Sequence, residues 1–270
     1  RNAYNHKARA LKVAVLRLMG RTVEALGLAR ESVAMDRFNY GCRYEEFLLT
    51  GDGQLHRSLA ALMHGMPNNY DELALDYCAA GLTAEARAVW QWAVDEGATT
   101  PMTHYYMGWA GDADAFARGE RACPDYCFPN RTEDILALQA ALRHNSRDAR
   151  AHYYLGCLYY ANRQYGPAHD HWTRSAELDP SLPTVWRNLA LYAYNKAGQS
   201  EQARTYMERA FDLNPTDARI LMELDQLYKR MSLDPAWRLG QLQRHPALIA
   251  QRDDLILEEA TLLNQTGRHA

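Results

Sequence analysis

The stretch ARAHYYLGCLYYANRQYGPAHDHWTRSAELDP, residues 149–180, decides the fold of this chain. Counted from Ala149, it fits a helix–turn–helix unit of roughly 34 residues. Two small residues, Gly156 and Ala168, allow the two helices to approach each other closely. Pro180 ends the second helix, because it lacks an amide hydrogen and clashes with the preceding turn. Large residues fill the space around the helix contact: Leu155, Tyr159 and Trp172.

The same pattern returns after residue 180. Residues 181–215 end in FDLNP, where the first unit ends in AELDP, and Leu189 and Ala190 take the close-contact positions. Residues 216–246 form a third unit, whose second helix we expect to begin near Pro235. A helix over about 132–144 is predicted to pack ahead of the three units, and residues 247–266 are predicted to form one helix of a truncated final unit.

These units resemble the tetratricopeptide (TPR) repeat. The resemblance implies an all-α fold, a right-handed superhelix of antiparallel helix pairs, and a scaffold that binds a peptide or partner protein in its concave groove. The first half of the chain repeats more loosely, with helix pairs predicted over 4–37 and 67–97 and further helices near 40–50, 55–64, 102–110 and 112–122. We therefore assign residues 1–122 to degenerate TPR-like repeats, 123–131 to an irregular loop and 132–270 to regular repeats.

Several phrases also resemble the C-terminal TPR region of a family of long, mostly bacterial proteins of uncharacterised function. The phrases are FPNRTEDILALQAAL, YYLGCLYY, RNLALYAYNKAG, ELDQLYKR and QRDDL. That resemblance implies that a β-rich domain, similar to sugar-binding or mutarotase-like folds, precedes the helices. We therefore expect the chain to be a fragment of a longer protein. The alternative function is then an accessory helical domain of a carbohydrate-active or carbohydrate-binding protein.

Composition agrees with an all-α protein. Ala (41) and Leu (34) far outnumber the β-branched Val (7) and Ile (4), which are the weaker helix formers. A net charge of −3, with no basic block, argues against nucleic acid as a partner. No apolar run approaches the roughly 18 residues of a membrane-spanning helix, so no membrane partner is predicted. The five scattered Cys predict reduced thiols and hence a cytoplasmic location.

The ligand-binding groove is predicted from the register of the repeats. Residues that line the concave face of TPR units are here Arg150, Tyr153, Tyr160, Arg187, Tyr194, Asn195, Arg219, Gln226 and Lys229. Arginine offers a bidentate fork for carboxylates and tyrosine a flat contact surface, so the predicted ligand is an acidic segment of a partner protein or of the neighbouring β-rich domain. The alternative prediction is that these side chains form ion pairs with Glu223 and nearby carboxylates within the groove, and so bind no ligand.

No pattern in the sequence predicts catalysis, a cofactor or a metal site, and we expect no enzyme. His169 and His171 diverge by about 200° on a helix, so they are predicted to be surface polar residues. Cys123 and Cys127 lack a second pair of zinc ligands nearby. Neighbouring carboxylates diverge by about 100° and are predicted to be solvated surface rather than acid–base dyads. These pairs lie at 45–46, 95–96, 253–254 and 258–259.

Overall fold

The computed structural model describes residues 4–124 and 127–268, and none of these residues lies in a strand. The first helices are α1 (His6–Leu18), α2 (Thr22–Met35), α3 (Tyr40–Thr50), α4 (Gly53–Met63), α5 (Pro67–Ala79), α6 (Thr83–Asp95), α7 (Pro101–Trp109) and α8 (Ala113–Arg121). They are followed by α9 (Thr132–His144), α10 (Ala149–Ala161), α11 (Tyr165–Leu178), α12 (Pro183–Asn195), α13 (Ser200–Leu213), α14 (Ala218–Arg230), α15 (Pro235–Leu242), α16 (Pro246–Ile249) and α17 (Asp253–Gln265). The predicted all-α, TPR-like fold is confirmed.

The chain divides into two compact units, Arg1–Cys127 and Phe128–Ala270. In the first unit, α1 pairs with α2, α5 with α6, and α7 with α8. In the second, α10 pairs with α11 and α12 with α13, while α9 packs on α10. The helix pairs predicted over 4–37 and 67–97 are therefore present. That the first unit consists of degenerate repeats and the second of regular ones stays a prediction.

Glycine makes the turns inside the first unit's helix pairs. Gly20 follows α1 with φ +71°, and Gly81 follows α5 with φ +78°. Side chains of L-residues are strained in this left-handed region, whereas glycine adopts it freely. The Gly20 amide donates to Arg17 O and the Gly81 amide to Cys78 O, both at 3.0 Å. Each glycine thus closes one helix and lets the chain turn back into the next.

The contact between α10 and α11 shows why a small residue is needed at position 156. A Cβ atom on Gly156 would lie 2.4 Å from Trp172 Cδ1. The Trp172 indole is buried, and its Nε1 donates to Tyr153 O at 3.2 Å. On α11, Ala168 is fully buried at the same helix pair. The close approach predicted from Gly156 and Ala168 is present.

One helix boundary departs from the prediction. Residues 247–266 do not form a single helix, because α16 ends at Ile249 and α17 begins at Asp253. Arg252 between them is extended, with φ −142° and ψ 124°. The break allows Leu248 and Ile249 of α16 to join the same apolar cluster as Leu255 of α17. By contrast, α15 begins at Pro235, as predicted.

The second unit opens with a capped helix. Asp134, in the first turn of α9, accepts hydrogen bonds from the amides of Asn130 (2.6 Å) and Arg131 (2.8 Å) through Oδ2. A carboxylate at this helix end also interacts favourably with the helix dipole. The predicted irregular loop, 123–131, lies between α8 and α9, and its residues 125 and 126 lie outside the described residues.

Candidate functional site

The nine predicted groove residues lie on α10, α12 and α14, the first helices of successive pairs. Side chains join these helices in order. Asn188 of α12 donates to the Cys157 sulfur of α10 at 3.5 Å, and Arg187 of α12 donates to Glu223 of α14. The three helices therefore present one surface. We call the face that carries the nine residues the groove wall.

At the centre of the groove wall, one carboxylate holds two arginines. Arg187 donates to Glu223 from both Nε and Nη2, the latter at 2.5 Å, and Arg219 donates to it from Nε at 3.2 Å. The side chains of Arg187 and Glu223 are 19% and 16% exposed, whereas that of Arg219 is 56% exposed. The rival pairing with Glu223 is thus present for both arginines. Arg219 nevertheless keeps two Nη groups that bond to no described residue.

The α10 end of the groove wall is aromatic. Tyr160 packs against Tyr165 and Trp172, with ring centroids 5.1 and 5.2 Å apart. Burial, assisted by Cys157 nearby, raises the pKa of Tyr153 well above its ordinary value, so the phenol stays neutral. Arg150 is half-buried, and within the described residues its buried Nη1 has no hydrogen-bond partner.

A cleft of about 240 Å³ opens in the groove wall where α12, α13 and α14 meet. Its floor is apolar and includes Leu191, Met207, Met222 and Leu227. Its polar lining consists of Tyr194, Asn195, Glu223, Gln226 and Arg230. An apolar floor with a few polar groups at its edge is the usual composition of a ligand pocket.

Two amides at this cleft are available to a ligand. No described residue hydrogen-bonds to the side chain of Asn195 or of Gln226. The guanidinium carbon of Arg230 lies 6.0 Å from the centroid of the Tyr194 ring. Arg230 was missed in the sequence, although it lies one helical turn after Gln226 and i,i+4 spacing places both on one face. The floor residues come from three helices, α12, α13 and α14, and no local spacing joins these helices.

Lys229, at the other end of the groove wall, is committed to the protein itself. It donates to both oxygens of Glu258, at 2.9 and 2.8 Å, and Arg238 donates to Glu258 at 2.7 Å. Burial opposes ionisation of Glu258, but hydrogen bonds from Lys229 and Arg238 outweigh it and lower the pKa of that carboxyl. The prediction that Glu258 is solvated is therefore wrong, since it is buried and paired.

The same prediction is wrong for Glu45 in the first unit. Glu45 is 0% exposed, and it accepts hydrogen bonds from Arg17 Nε at 2.7 Å and from the Tyr77 hydroxyl at 2.6 Å. Arg17 also donates to Glu85 at 3.0 Å. A buried carboxylate is tolerated only when it is paired and hydrogen-bonded in this way. Its partners lie far away in the sequence, so the residues around 45–46 could not predict that Glu45 is buried and paired.

His171 is also more than a surface residue. Its Nδ1 lies 2.8 Å from Nδ1 of His152, and its ring stacks on Tyr159 with centroids 5.4 Å apart. Burial lowers the pKa of both histidines. His171 is thus a partly buried polar residue that contacts His152, and His169 stacks on Tyr192.

In the part of the chain that the structure describes, no group of three or more His, Cys, Asp or Glu side chains could hold a metal ion. None of the helices described is both long and apolar enough to cross a bilayer. Cys123 is exposed and Cys127 is buried.

The helix pairs and the groove wall define a helical-repeat protein, and comparison with known proteins says which repeat it contains. The tetratricopeptide repeat model matches residues 149–182. The chain therefore contains a TPR repeat in the segment that forms α10 and α11. TPR repeats are protein-interaction modules, and this match supports that general class of function. The narrower resemblance to proteins with a β-rich domain stays a prediction.

Solved structures with a similar arrangement share little sequence with this chain. PilF of Pseudomonas aeruginosa is 19% identical over 75% of this chain and 85% of its own, with a TM-score of 0.45. MamA from Desulfovibrio magneticus RS-1 is 18% identical over 69% of this chain and 97% of its own, with a TM-score of 0.41. YrrB, a TPR protein with an unusual peptide-binding site, is 15% identical over 82% of this chain and 92% of its own, with a TM-score of 0.32.

Proposed function

We propose that this chain is a non-catalytic protein-interaction module, and that the groove wall binds an extended segment of a partner protein. The observation that carries the proposal is the cleft beside Asn195 and Gln226. It combines an apolar floor with two side-chain amides that have no partner among the described residues. An extended peptide offers both groups that such a site needs, an apolar side chain and unpaired backbone amides.

The floor of the cleft suits an apolar side chain of the partner. Met207 and Met222 are flexible, so the floor can adapt to side chains of different shape. The amides of Asn195 and Gln226 each offer a donor and an acceptor to the peptide backbone. Burial of one side chain and two backbone hydrogen bonds at one place would make the cleft the centre of the interface.

Acidic residues of the partner are expected to contact the exposed arginines. Arg187 is held by Glu223, so it positions that carboxylate rather than the ligand. Arg219 is more exposed, and Arg230 lines the cleft itself. These two cations replace Arg187 as the proposed contacts for carboxylates. Binding through exposed charges should weaken as salt rises.

The test is selection of a binding peptide from a displayed library, followed by fluorescence titration with the whole chain. Asn195→Ala and Gln226→Ala should each weaken the selected peptide about fivefold or more, since each removes hydrogen bonds to it. Gln202→Ala is the matched control, because Gln202 lies on α13 and its side chain donates to the Tyr206 hydroxyl, its one partner among the described residues. Equal binding by all three variants would refute the site. If the partner is a β-rich domain that precedes the helices, binding of that domain to the same three variants is measured in the same way.

A further inference from the structure

A second cavity, of about 370 Å³, lies within the first unit, between α1, the start of α3 and α5. Its apolar lining includes Ala10, Leu11 and Leu73. Gly41 of α3 allows α3 to approach α1 closely, since a Cβ on Gly41 would lie 2.6 Å from the Ala10 Cβ. The cavity is therefore a feature of tight helix packing, and its size is within the range of ligand pockets.

The charge of this cavity is opposite to that of the groove wall. Among the described residues that line it are the carboxylates of Asp36, Glu72 and Asp76 and the ammonium group of Lys7. His6 also lies at the edge, with Nε2 3.7 Å from Asp36 Oδ2. Side chains of Asp36 and Asp76 are 33% and 34% exposed, so both are accessible from solvent. The cavity thus favours a cation.

The cation already present is weakly held. Lys7 pairs with Asp76, but its side chain is 56% exposed. Exposed ion pairs of this kind add little to stability, because water and salt screen them. A guanidinium or ammonium group of a ligand can therefore take the place of Lys7 at little cost.

An exposed aromatic ring completes the lining. Phe38 is 50% exposed and belongs to the cavity, as does Tyr40. The guanidinium carbon of Arg37 lies 4.7 Å from the Phe38 centroid, so the ring already stacks with one cation of the protein, and a ligand cation would use the exposed part that Arg37 leaves uncovered. Aromatic faces attract Lys and Arg at such distances, and Arg most often.

We propose that this cavity binds a Lys or Arg side chain from an extended segment of a partner protein. The aliphatic stem would lie along Leu11 and Leu73, and the charged head would reach Asp36, Asp76 and the Phe38 ring. Long basic side chains bury their stems and keep their heads at a polar edge in this way. The site is independent of the groove wall, and its preference for charge is the reverse.

The test uses three fluorescein-labelled heptapeptide pools that differ only in a fixed central residue, Arg, Glu or Ala. Each pool is titrated against the whole chain by fluorescence anisotropy. The Arg pool should bind most tightly, and the double variant Asp36→Asn/Asp76→Asn should weaken it about fivefold or more. The Asn at position 36 can keep the bond that Asp36 Oδ1 accepts from the Phe38 amide at 2.9 Å, so the loop should stay folded.

Two controls separate this site from others. Asp95→Asn removes an exposed carboxylate outside the cavity and should leave binding of the Arg pool unchanged. Asn195→Ala/Gln226→Ala, in the other unit, should also leave it unchanged. The proposal is overturned if the three pools bind equally, if Asp36→Asn/Asp76→Asn binds the Arg pool like wild type, or if the groove-wall variant loses that binding.

Discussion

Replacing Gly156 tests whether its missing side chain sets the distance between α10 and α11. In Gly156→Ala the new Cβ would lie 2.4 Å from Trp172 Cδ1, more than 1 Å inside the roughly 3.5–4.0 Å of an ordinary carbon contact. The indole has little freedom to retreat, because Trp172 is 3% exposed and its Nε1 bonds to Tyr153 O. The substitution must therefore move a helix or break that hydrogen bond.

The expected magnitude follows from opposing effects. Overpacking costs about 1–3 kcal/mol, and loss of the indole hydrogen bond about 1 kcal/mol more. Alanine regains up to about 1 kcal/mol as the better helix former. We expect Gly156→Ala to lower the free energy of unfolding by about 2 kcal/mol, and Gly156→Leu by more, in urea titrations followed by circular dichroism.

Gly240 provides the matched control. It lies within α15 in the same unit, and a Cβ there would meet no atom within 4 Å. Gly240→Ala should therefore raise stability by about 0.5–1 kcal/mol. The steric reasoning is refuted if Gly156→Ala is as stable as wild type. It is equally refuted if the cost of Gly156→Ala is unchanged in a Trp172→Leu background, where the indole is absent.

Two further predictions concern buried polar groups. Burial lowers the pKa of His152 and of His171. Arg174 lowers the pKa of His152 further, whereas Asp170 partly opposes the shift at His171. Below about pH 6.5 the unfolded chain therefore binds more protons than the folded chain does. The free energy of unfolding should therefore be lower at pH 5.5 than at pH 7.5 in urea titrations. This decrease should be smaller in the double variant His152→Gln/His171→Gln than in the control His144→Gln. Glu45→Ala should cost about 3–5 kcal/mol, because it strips a carboxylate from buried partners. Glu46→Ala, which breaks only the pair with the exposed Arg30, should cost under about 1 kcal/mol, and equal costs in thermal melts would contradict the difference in burial.

The helix pairs could be predicted because their signals are local. Gly20, Gly81 and Pro235 act on the backbone of their own neighbours, and each marks a boundary that the structure has. The break between α16 and α17 was missed because it depends on where Leu248 and Leu255 find apolar contacts. The only local sign is a pair of acidic residues at 253–254, which favour a helix start.

The groove was only partly predictable for the same reason. Register along the repeat placed Asn195 and Gln226 on one face, and both line the cleft. Register does not say which charges neutralise one another. Arg187 and Glu223 are 36 residues apart, and Glu45 meets Arg17 across 28 residues, so both pairings depend on how helices pack. For that reason the sequence could not decide whether the groove arginines pair with Glu223 or bind a ligand. For the same reason it predicted that Glu45 is exposed to solvent.

The carboxylate of Asp134 has a consequence for how this protein can be taken apart. It caps α9 through amides three and four positions earlier, so both of these hydrogen bonds lie within the second unit. A helix cap of that kind is transferred together with the segment that contains its donors and its acceptor. We expect a recombination or engineered fusion that joins foreign sequence ahead of Phe128 to keep these two hydrogen bonds. We therefore expect the second unit to be transferable as a module when foreign sequence is joined at the boundary after Cys127.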